Sequence, residues 1–148
     1  MRICERLLYS SIKLNRKGYV HLAKIVVLLI RVLCACDVSC QMTIGKHVQF
    51  VHNGLGVVIH PKTIIKDNVM IYQNVTIGGN TKEVNGKVIN KGAPVIHENT
   101  VIYSGAVILG PISIGENCIV GANAVVTKNV PSNCTVIKYN EIKQRKNT

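Results

Sequence analysis

Residues 50–60, FVHNGLGVVIH, contain a histidine that is placed for proton transfer. His52 stands at an interruption of a six-residue repeat that runs through most of the chain, and Gly54 and Gly56 follow it. An unperturbed imidazole has a pKa of about 6.5, so it can take up a proton at neutral pH. We therefore interpret His52 as a candidate general base, while the alternative is a solvated histidine at a corner of the chain.

An apolar residue recurs at every sixth position over long stretches from residue 38 onward. A period of six fits neither an α-helix nor a simple hairpin, but it fits a short strand followed by a corner. Three such strands would close a triangular coil, and about four stacked coils would bury a common apolar core. The predicted fold class is therefore an all-β solenoid. The repeat positions are Val38, Ile44 and Phe50, then Ile59, Ile65, Ile71 and Ile77, then Ile96, Ile102, Ile108, Ile114, Val120 and Val126.

Two interruptions of the repeat predict where the coil is locally rebuilt. The step from Phe50 to Ile59 is nine residues, and the step from Ile77 to Ile96 is nineteen. The longer step predicts a loop extruded from the coil over residues 78–94. Insertions in solenoids leave from the corners and often build the binding face, so both interruptions are candidate functional regions.

The segment before the repeat, residues 1–36, is predicted to form one or two helices, with LLYSSIKL and HLAKIVVLLIRVL as the clearest windows. We expect these helices either to cap the open end of the coil or to rest a basic, apolar face on the inner membrane surface. The longest uninterrupted apolar run, IVVLLI, is too short to span a bilayer. The solenoid domain is predicted over residues 37–137, and a basic tail follows at 138–148.

The formal net charge of +11 is unevenly distributed, with basic residues clustered at both ends of the chain. Such ends could meet an anionic lipid or an anionic small molecule, or could simply keep the protein soluble. Nucleic acid is not expected as a partner, because no aromatic residues interleave with the basic ones and no binding motif is present. The six cysteines lack paired zinc-ligand spacing, and we expect reduced thiols in a cytoplasmic protein, with the inner membrane surface as an alternative location.

Several segments resemble the hexapeptide-repeat acyltransferases, among them IGKHVQ, IGENCI and VGANAV. Within that family the likeness is greatest to the serine acetyltransferase group and its polysaccharide O-acetyltransferase relatives. It is carried by HNGLGVVI, NVTIGG and VIYSGAVILGPISIGENCIVGANAVVTKNVP, and it covers about two-thirds of the chain. The resemblance implies a left-handed parallel β-helix, acetyl-CoA as co-substrate, no metal, a hydroxyl acceptor, and a homotrimer with active sites between neighbouring subunits.

The resemblance also implies roles for individual residues. His52 matches the family's catalytic histidine, and Asp37 matches the aspartate that holds the second ring nitrogen of that histidine. Gly78 and Gly79 match residues that approach the thioester, where backbone N–H groups can stabilise a tetrahedral oxyanion. The implied coenzyme A contacts are Ser104, Gly105, Ala122 and Asn123 for the pantetheine arm, and Thr127 and Lys128 for the nucleotide end, with Lys138, Lys143 and Arg145 as weaker candidates.

The acceptor is predicted from departures from the serine acetyltransferase pattern. That group typically carries Asp where this chain has Val51, and an Arg-His pair where it has Gly92 and Ala93. The replaced side chains hold the charged ends of an amino acid, so their loss disfavours a zwitterion. We therefore expect an O-acetyltransferase that acts on a sugar hydroxyl in surface polysaccharide or glycan biosynthesis. The alternative is a serine O-acetyltransferase of cysteine biosynthesis.

Two further interpretations stay open at this point. A trimeric zinc enzyme of the carbonic-anhydrase type would use His47 and His52 as a pair across a corner, with a third ligand from His60 or His97 of a neighbouring subunit. Only His21 precedes that pair, in the predicted helical segment, which does not match the carbonic-anhydrase motif. In the second interpretation, a non-catalytic solenoid, His52 would have no catalytic role.

Overall fold

The coiled part of the chain consists of strands of two or three residues, each with one residue that points inward. The structure is a computed structural model that describes residues 2–79, 81–84, 87–90 and 92–137. Ile65, Ile71 and Ile77 are fully buried, whereas the residue before each of them is only half-buried. β-Branched side chains suit such a pleated, one-sided surface. The hexad positions therefore form the core, as the sequence predicts.

Three parallel sheets form the three faces of a triangular coil, and the predicted all-β solenoid is confirmed. The first face contains β1 (Thr43–Ile44), β4 (Ile64–Ile65), β9 (Val95–Ile96) and β12 (Ser113–Ile114). The second face contains β2 (Gln49–Phe50), β5 (Met70–Ile71), β10 (Val101–Ile102), β13 (Ile119–Val120) and β15 (Thr135–Val136). The third face contains β3 (Val58–Ile59), β6 (Thr76–Gly78), β11 (Val107–Leu109) and β14 (Val125–Val126).

The strand register shows how the two interruptions of the repeat are absorbed. Where the repeat is regular, paired residues are 18 apart in sequence, as with Val58 and Thr76. Across the first interruption the separation is 21 residues, from Thr43 to Ile64. Across the second it is 31 residues, from Ile64 to Val95. The extra residues leave the coil, so the inward ladders of apolar side chains stay aligned.

The longer insertion folds as an antiparallel hairpin between β6 and β9. Its strands are β7 (Thr81–Val84) and β8 (Lys87–Asn90), paired from Thr81 with Asn90 to Val84 with Lys87. The hairpin leaves the coil at the carboxyl end of β6 and lies within the predicted loop 78–94. It therefore starts beside the glycine pair that the sequence marks as a candidate thioester contact.

Stacked asparagine amides hold the corner between the first and second faces, which we call the asparagine corner. Asn68, Asn99, Asn117 and Asn133 have φ values of 54° to 61°, the left-handed region that asparagine tolerates better than most residues. The Nδ2 of each of the first three donates a hydrogen bond to the Oδ1 of the next, at 3.1–3.2 Å. The amides thus supply the turn conformation and also tie successive coils together.

Two helices precede the coil, α1 (Ile3–Arg16) and α2 (Val20–Cys34), and form a helical hairpin. Leu8 and Ile12 of α1 are buried in the same apolar cluster as Phe50 of the first coil. A solenoid end without such a cover would expose its apolar interior and strand edges. Helix α1 therefore packs on the start of the coil and shares its core.

Helix α2 buries one side and leaves an apolar side exposed. Its buried residues are Ala23, Ile30 and Cys34. The exposed apolar residues include Leu22, Ile25, Leu28, Leu29, Val32 and Leu33. Within the described residues, no helix has the length and hydropathy needed to cross a bilayer. Contact of this segment with a membrane surface stays a prediction.

Candidate active site

His52 lies in a left-handed turn between the second and third faces, at what we call the histidine corner (residues 51–56, 72–74, 103–105 and 121–123). The φ values of His52, Asn53 and Gly54 are 55°, 56° and 71°. A non-glycine residue held in this region costs about 1–3 kcal/mol, and such strain concentrates at functional sites. The imidazole is exposed, and in the part of the chain that the structure describes it has no hydrogen-bond partner. The turn thus presents an unengaged imidazole to solvent or to a ligand.

Helix α1 holds the strand that leads into this turn. The Glu5 carboxylate is buried, and its Oε1 accepts a hydrogen bond from the Phe50 N–H at 2.8 Å. Arg2 Nη1 donates to the Phe50 carbonyl at 3.0 Å. A carboxylate and a guanidinium therefore fix both backbone groups of the residue two positions before His52, which a strand end would otherwise leave to solvent.

The underside of the turn is closely packed against buried thiols. A Cβ added at Gly54 would lie 3.1 Å from Cys36 Sγ and 3.2 Å from Phe50 Cδ1, so these neighbours would have to move by a few tenths of an ångström, and the positive φ also favours glycine there. Hydrogen bonding to Cys36 and burial raise the pKa of the Cys4 thiol far above its ordinary value. These thiols are therefore packing groups, and all six cysteines of the chain are free.

Asp37, the predicted partner of His52, is engaged elsewhere in this structure. Its backbone pairs with Val58 of β3, and its Oδ1 accepts a hydrogen bond from Arg31 Nη2. Among the described residues no hydrogen bond joins Asp37 to His52. Because the Asp37 and Arg31 side chains are both about half exposed, their ion pair is weak and exchangeable. The role of Asp37 as the partner of His52 stays a prediction.

The carboxyl ends of the third-face strands form a second corner, which we call the glycine corner because β6 ends there at Gly78. A cavity of about 470 Å³ opens beside it. Its lining brings together Arg31, Asp37, Ser39, His60 and Gly78 with apolar residues of the third face. The structure thus places the predicted thioester glycine and the predicted aspartate in one cavity, whose lining does not include His52.

A larger cavity of about 660 Å³ lies between α1 and the first coil, lined by Arg2, Glu5, Tyr9, Lys46, His47, Val48 and Gln49. Of the residues that the sequence marks for chemistry it contains only His47, which was considered as a zinc ligand. Two of its lining residues are the anchors of Phe50 described above. We therefore assign the candidate site to the cavity at the glycine corner.

The two glycines at this corner differ in their hydrogen bonding. The Gly78 carbonyl accepts a hydrogen bond from the Gly110 N–H at 3.0 Å, and a Cβ at Gly78 would lie 2.8 Å from Leu109 Cδ2. By contrast, the Gly79 N–H has no hydrogen-bond partner among the residues that the structure describes. An unpaired N–H on the residue that follows the cavity-lining Gly78 is the type of donor that can stabilise an oxyanion.

Of the polar residues that line the cavity, sequence reasoning did not identify Arg31, Ser39 or His60 as site residues. His60 was considered only as a zinc ligand, although the repeat contained the signal for its place. Ile59 and Ile77 occupy equivalent positions on successive coils, so the residues that follow them, His60 and Gly78, must stack at one corner. Arg31 carried no such signal, because its position depends on how α2 packs.

The residues predicted to hold the pantetheine arm come together at the histidine corner. Ser104 and Ala122 occupy equivalent positions one coil apart, and the Ser104 carbonyl accepts a hydrogen bond from the Asn123 N–H at 2.9 Å. Gly105 has a φ of 69°, and a Cβ there would lie 2.1 Å from Asn123 Oδ1. The packing accounts for the glycine and leaves a small-residue surface, while coenzyme A binding to it stays a prediction.

Thr127 and Lys128 follow β14 and are both exposed at the far end of the third face. In the described part of the chain Lys128 forms no ion pair, so its ammonium is available to a phosphate. Lys138, Lys143 and Arg145 lie outside the described residues. The contacts predicted between these residues and the nucleotide end of coenzyme A therefore stay predictions.

The histidines proposed as zinc ligands do not meet within the chain. His47 lies at the asparagine corner, His52 at the histidine corner and His60 at the glycine corner, so the pairing of His47 and His52 across one corner that a zinc site would require does not form within the chain. The spacing of five residues spans strand β2 and carries the two rings to different corners. Within the described ranges the one triad of potential ligands is His97, Glu98 and Glu116, which is partly exposed.

Comparison with known proteins agrees with this geometry. Residues 93–128 match the model of the bacterial transferase hexapeptide family (six repeats). A serine acetyltransferase from Synechococcus elongatus is 40% identical over 109 residues, which are 74% of this chain and 42% of that protein. A serine acetyltransferase from Staphylococcus aureus is 41% identical over 123 residues, 83% of this chain and 54% of that protein.

Solved serine acetyltransferases also share the fold. The enzyme from Vibrio cholerae has a TM-score of 0.81 at 32% identity, over 91% of this chain and 50% of that one. A serine acetyltransferase in complex with CoA has a TM-score of 0.78 at 29% identity, over 89% and 52%. The chain thus spans about half the length of the relatives that it matches. Residues 93–128 thus carry the hexapeptide repeat, and the chain has a left-handed parallel β-helix and is similar in sequence and in structure to the serine acetyltransferases.

Proposed function

We propose that this chain transfers the acetyl group of acetyl-CoA to a hydroxyl group, with serine as the preferred acceptor. The observation that carries the proposal is the cavity in which Gly78, Asp37 and Arg31 meet. Identity of 40–41% with serine acetyltransferases supports it. One similar structure is a complex with CoA and another a complex with cysteine, which supports a coenzyme and an amino acid as ligands here. As the preferred acceptor, serine therefore replaces the sugar hydroxyl that was predicted from the departures from the serine acetyltransferase pattern.

In this mechanism the acceptor oxygen attacks the thioester carbonyl carbon while its proton passes to the His52 imidazole. The resulting oxyanion accepts a hydrogen bond from the Gly79 N–H. When the intermediate collapses, the carbon–sulfur bond breaks, and the leaving thiolate takes the proton back from the imidazolium. Each of the two proton transfers uses the same ring, which returns to its neutral form at the end of the cycle.

Two residues of the cavity, Arg31 and Asp37, supply charges for an amino acid that other positions of this chain lack. Val51, Gly92 and Ala93 replace the groups that would hold a zwitterion in serine acetyltransferases. Arg31 offers a cation for the carboxylate of an amino acid, and Asp37 offers an anion for its ammonium group. Since their mutual ion pair is exposed, exchange of that pair for the two ends of serine costs little.

We also propose that the working unit is a trimer. Gly56 and His60 mark the two ends of one third-face strand, so the histidine and glycine corners are about 13 Å apart within a chain. A reaction that needs His52 and Gly79 together is more readily completed between neighbouring subunits. Light-scattering mass measurement tests this assembly, and a monomer with full activity would contradict it.

A sugar hydroxyl is the second candidate acceptor. Besides the replaced loop-end groups, the favouring observation is an aromatic pair at the histidine corner. The Tyr72 and Tyr103 rings have centroids 5.0 Å apart and are tilted by 35°. Together they offer an apolar surface beside the candidate base, which suits the apolar face of a pyranose.

The test is CoA release from acetyl-CoA by the purified protein, with free serine, a nucleotide sugar and an oligosaccharide as separate acceptors. We expect serine to give the highest kcat/KM. In the variant Arg31→Gln, the KM for serine should rise by about tenfold or more, because a charge-assisted hydrogen bond to the carboxylate is lost.

Lys24→Gln is the matched control for that variant, since Lys24 is an exposed cation on the same helix but does not line the cavity. It should leave the KM for serine unchanged. A sugar preference over serine would transfer the proposal to the second candidate, and no acceptor-dependent release with any of the three would overturn it.

A further inference from the structure

His60 lies against the residue at which acyl transfer is proposed. It follows β3 at the glycine corner, is half-buried, and lines the cavity. A Cβ added at Gly79 would lie 3.2 Å from His60 Cδ2 and 3.3 Å from Nε2. The edge of the imidazole that carries Nε2 therefore covers the α-carbon of Gly79, and no side chain separates the two.

The hydrogen bonding of the ring determines which nitrogen can act. Nδ1 of His60 accepts a hydrogen bond from the Lys62 N–H at 3.2 Å. A ring that accepts at Nδ1 carries its proton at Nε2 in the neutral form, so Nε2 is a donor. Among the described residues that Nε2–H has no acceptor. A half-buried donor without a partner, facing a cavity, is poised for a ligand atom.

The other close neighbour of Gly79 is the end of the long loop. The Gly92 carbonyl oxygen lies 3.0 Å from the same added Cβ, so the end of the long loop closes on Gly79 from another side. The residues at that loop end, Gly92 and Ala93, carry no donor side chain. Of the three atoms nearest to the added Cβ, two belong to the His60 ring and one is the Gly92 carbonyl oxygen, so the nearest side chain to Gly79 at this position is that of His60.

We propose that His60 is a further catalytic residue of this chain, whose Nε2–H donates a hydrogen bond to the thioester oxygen beside the Gly79 N–H. The inference rests on the proposed acetyl transfer and names a second donor for the same oxyanion. The oxygen gains negative charge as the acceptor attacks, so the two hydrogen bonds strengthen in the transition state. Both His60 Nε2–H and Gly79 N–H are preorganised, since each is held by the coil corner.

Substitutions of His60 distinguish hydrogen-bond donation by Nε2 from the simple filling of space by the ring. His60→Phe keeps the planar ring and removes the donor, and we expect kcat to fall by about 10²–10³, the usual effect of one oxyanion donor. His60→Gln places an amide N–H near the position of Nε2 and should recover activity to within about tenfold of wild type. His60→Asn reaches only the position of Nδ1 and should not recover it.

The readout is the division of the effect between kcat and KM. A donor used in the transition state changes kcat, while the KM for acetyl-CoA stays within about threefold. His97→Phe is the matched control, because His97 is also half-buried and lies at the asparagine corner, and it should leave kcat unchanged. Thermal unfolding of each variant identifies any that do not fold, and His60→Gln and His60→Asn then carry the comparison.

The outcomes distinguish this inference from the proposed function. If wild type transfers acetyl groups but His60→Phe retains nearly full kcat, the role of His60 is overturned and the function stands. Equal activity of the Gln and Asn variants would likewise overturn a donor at Nε2. If wild type releases no CoA with any acceptor, the proposed function fails first and this inference fails with it.

Discussion

At the histidine corner non-glycine residues adopt positive φ, whereas at the glycine corner the described residues with positive φ are glycines. His52 and Asn53 have positive φ, and a buried carboxylate and two buried thiols hold the turn from below. The glycine corner is formed by the carboxyl ends of the four third-face strands, and α2 and the end of the long loop complete it. Both corners receive contacts from segments that are distant in sequence, but at the histidine corner these contacts hold the backbone of the turn, whereas at the glycine corner they line a cavity.

This difference suggests that the two corners have different roles in the proposed reaction. A general base must hold a fixed direction, which a strained and tightly packed turn provides. A substrate cavity must admit and release ligands, and exposed side chains such as those of Arg31 and Asp37 can exchange partners at little cost. The two corners should therefore respond differently to substitution, the first in proton transfer and stability, the second in positioning.

The largest expected effect is at the histidine corner. His52→Ala should lower kcat by about two to four powers of ten, the usual contribution of a general base. The free energy of unfolding should stay close to that of wild type, because the ring is exposed and has no partner in the described part of the chain. Steady-state CoA release and urea unfolding check the two statements. Nearly normal turnover in this variant would remove His52 from the mechanism.

A pair of glycine variants separates strain from packing at that corner. Gly54→Ala must place a side chain at φ +71° and 3.1 Å from Cys36 Sγ, so we expect a loss of about 2–4 kcal/mol in the free energy of unfolding. Gly18→Ala, at φ +88° with nothing within 4 Å, keeps the strain without the contact and should lose only about 1–2 kcal/mol. Urea unfolding measures the difference, and equal losses would show that the thiols do not support the turn.

The smallest of these effects is expected for a glycine variant at the glycine corner. In Gly79→Ala the added methyl lies 3.0 Å from the Gly92 carbonyl and 3.2 Å from the His60 ring, so its neighbours must move by only a few tenths of an ångström. Because a displacement of about 1 Å can cost about a hundredfold in rate, we expect kcat to fall by about fivefold. In a His60→Ala background the fall should be smaller, and an equal fall in both backgrounds would show that the two residues act independently.

Most of the fold followed from one period in the sequence. The apolar hexads predicted three strands to a coil, and the buried Ile65, Ile71 and Ile77 confirm that reasoning. The steps of nine and nineteen residues predicted both insertions, which appear as separations of 21 and 31 residues between paired strand positions instead of the regular 18. A local repeat suffices here because each coil contacts only its neighbours, so tertiary packing repeats the sequence pattern.

The candidate site was less predictable. Gly78 and the small residues of the histidine corner were identified from motifs, but the side chain that pairs with Asp37 was not. Arg31 reaches the cavity only because α2 is placed by α1, and α1 is placed by Glu5 and Arg2 at Phe50. No periodicity predicts such contacts, since they join segments that follow different repeats.

By itself, the sequence determined the triangular coil, the two places where it is interrupted and the candidate imidazole, since a six-residue period fixes which side chains point inward. Only the tertiary structure decided that His60 covers Gly79, that Arg31 engages Asp37, and that His47 and His52 occupy separate corners. The physical reason is that a repeat sets directions within one coil, whereas side-chain contacts between coils and helices depend on register and on packing.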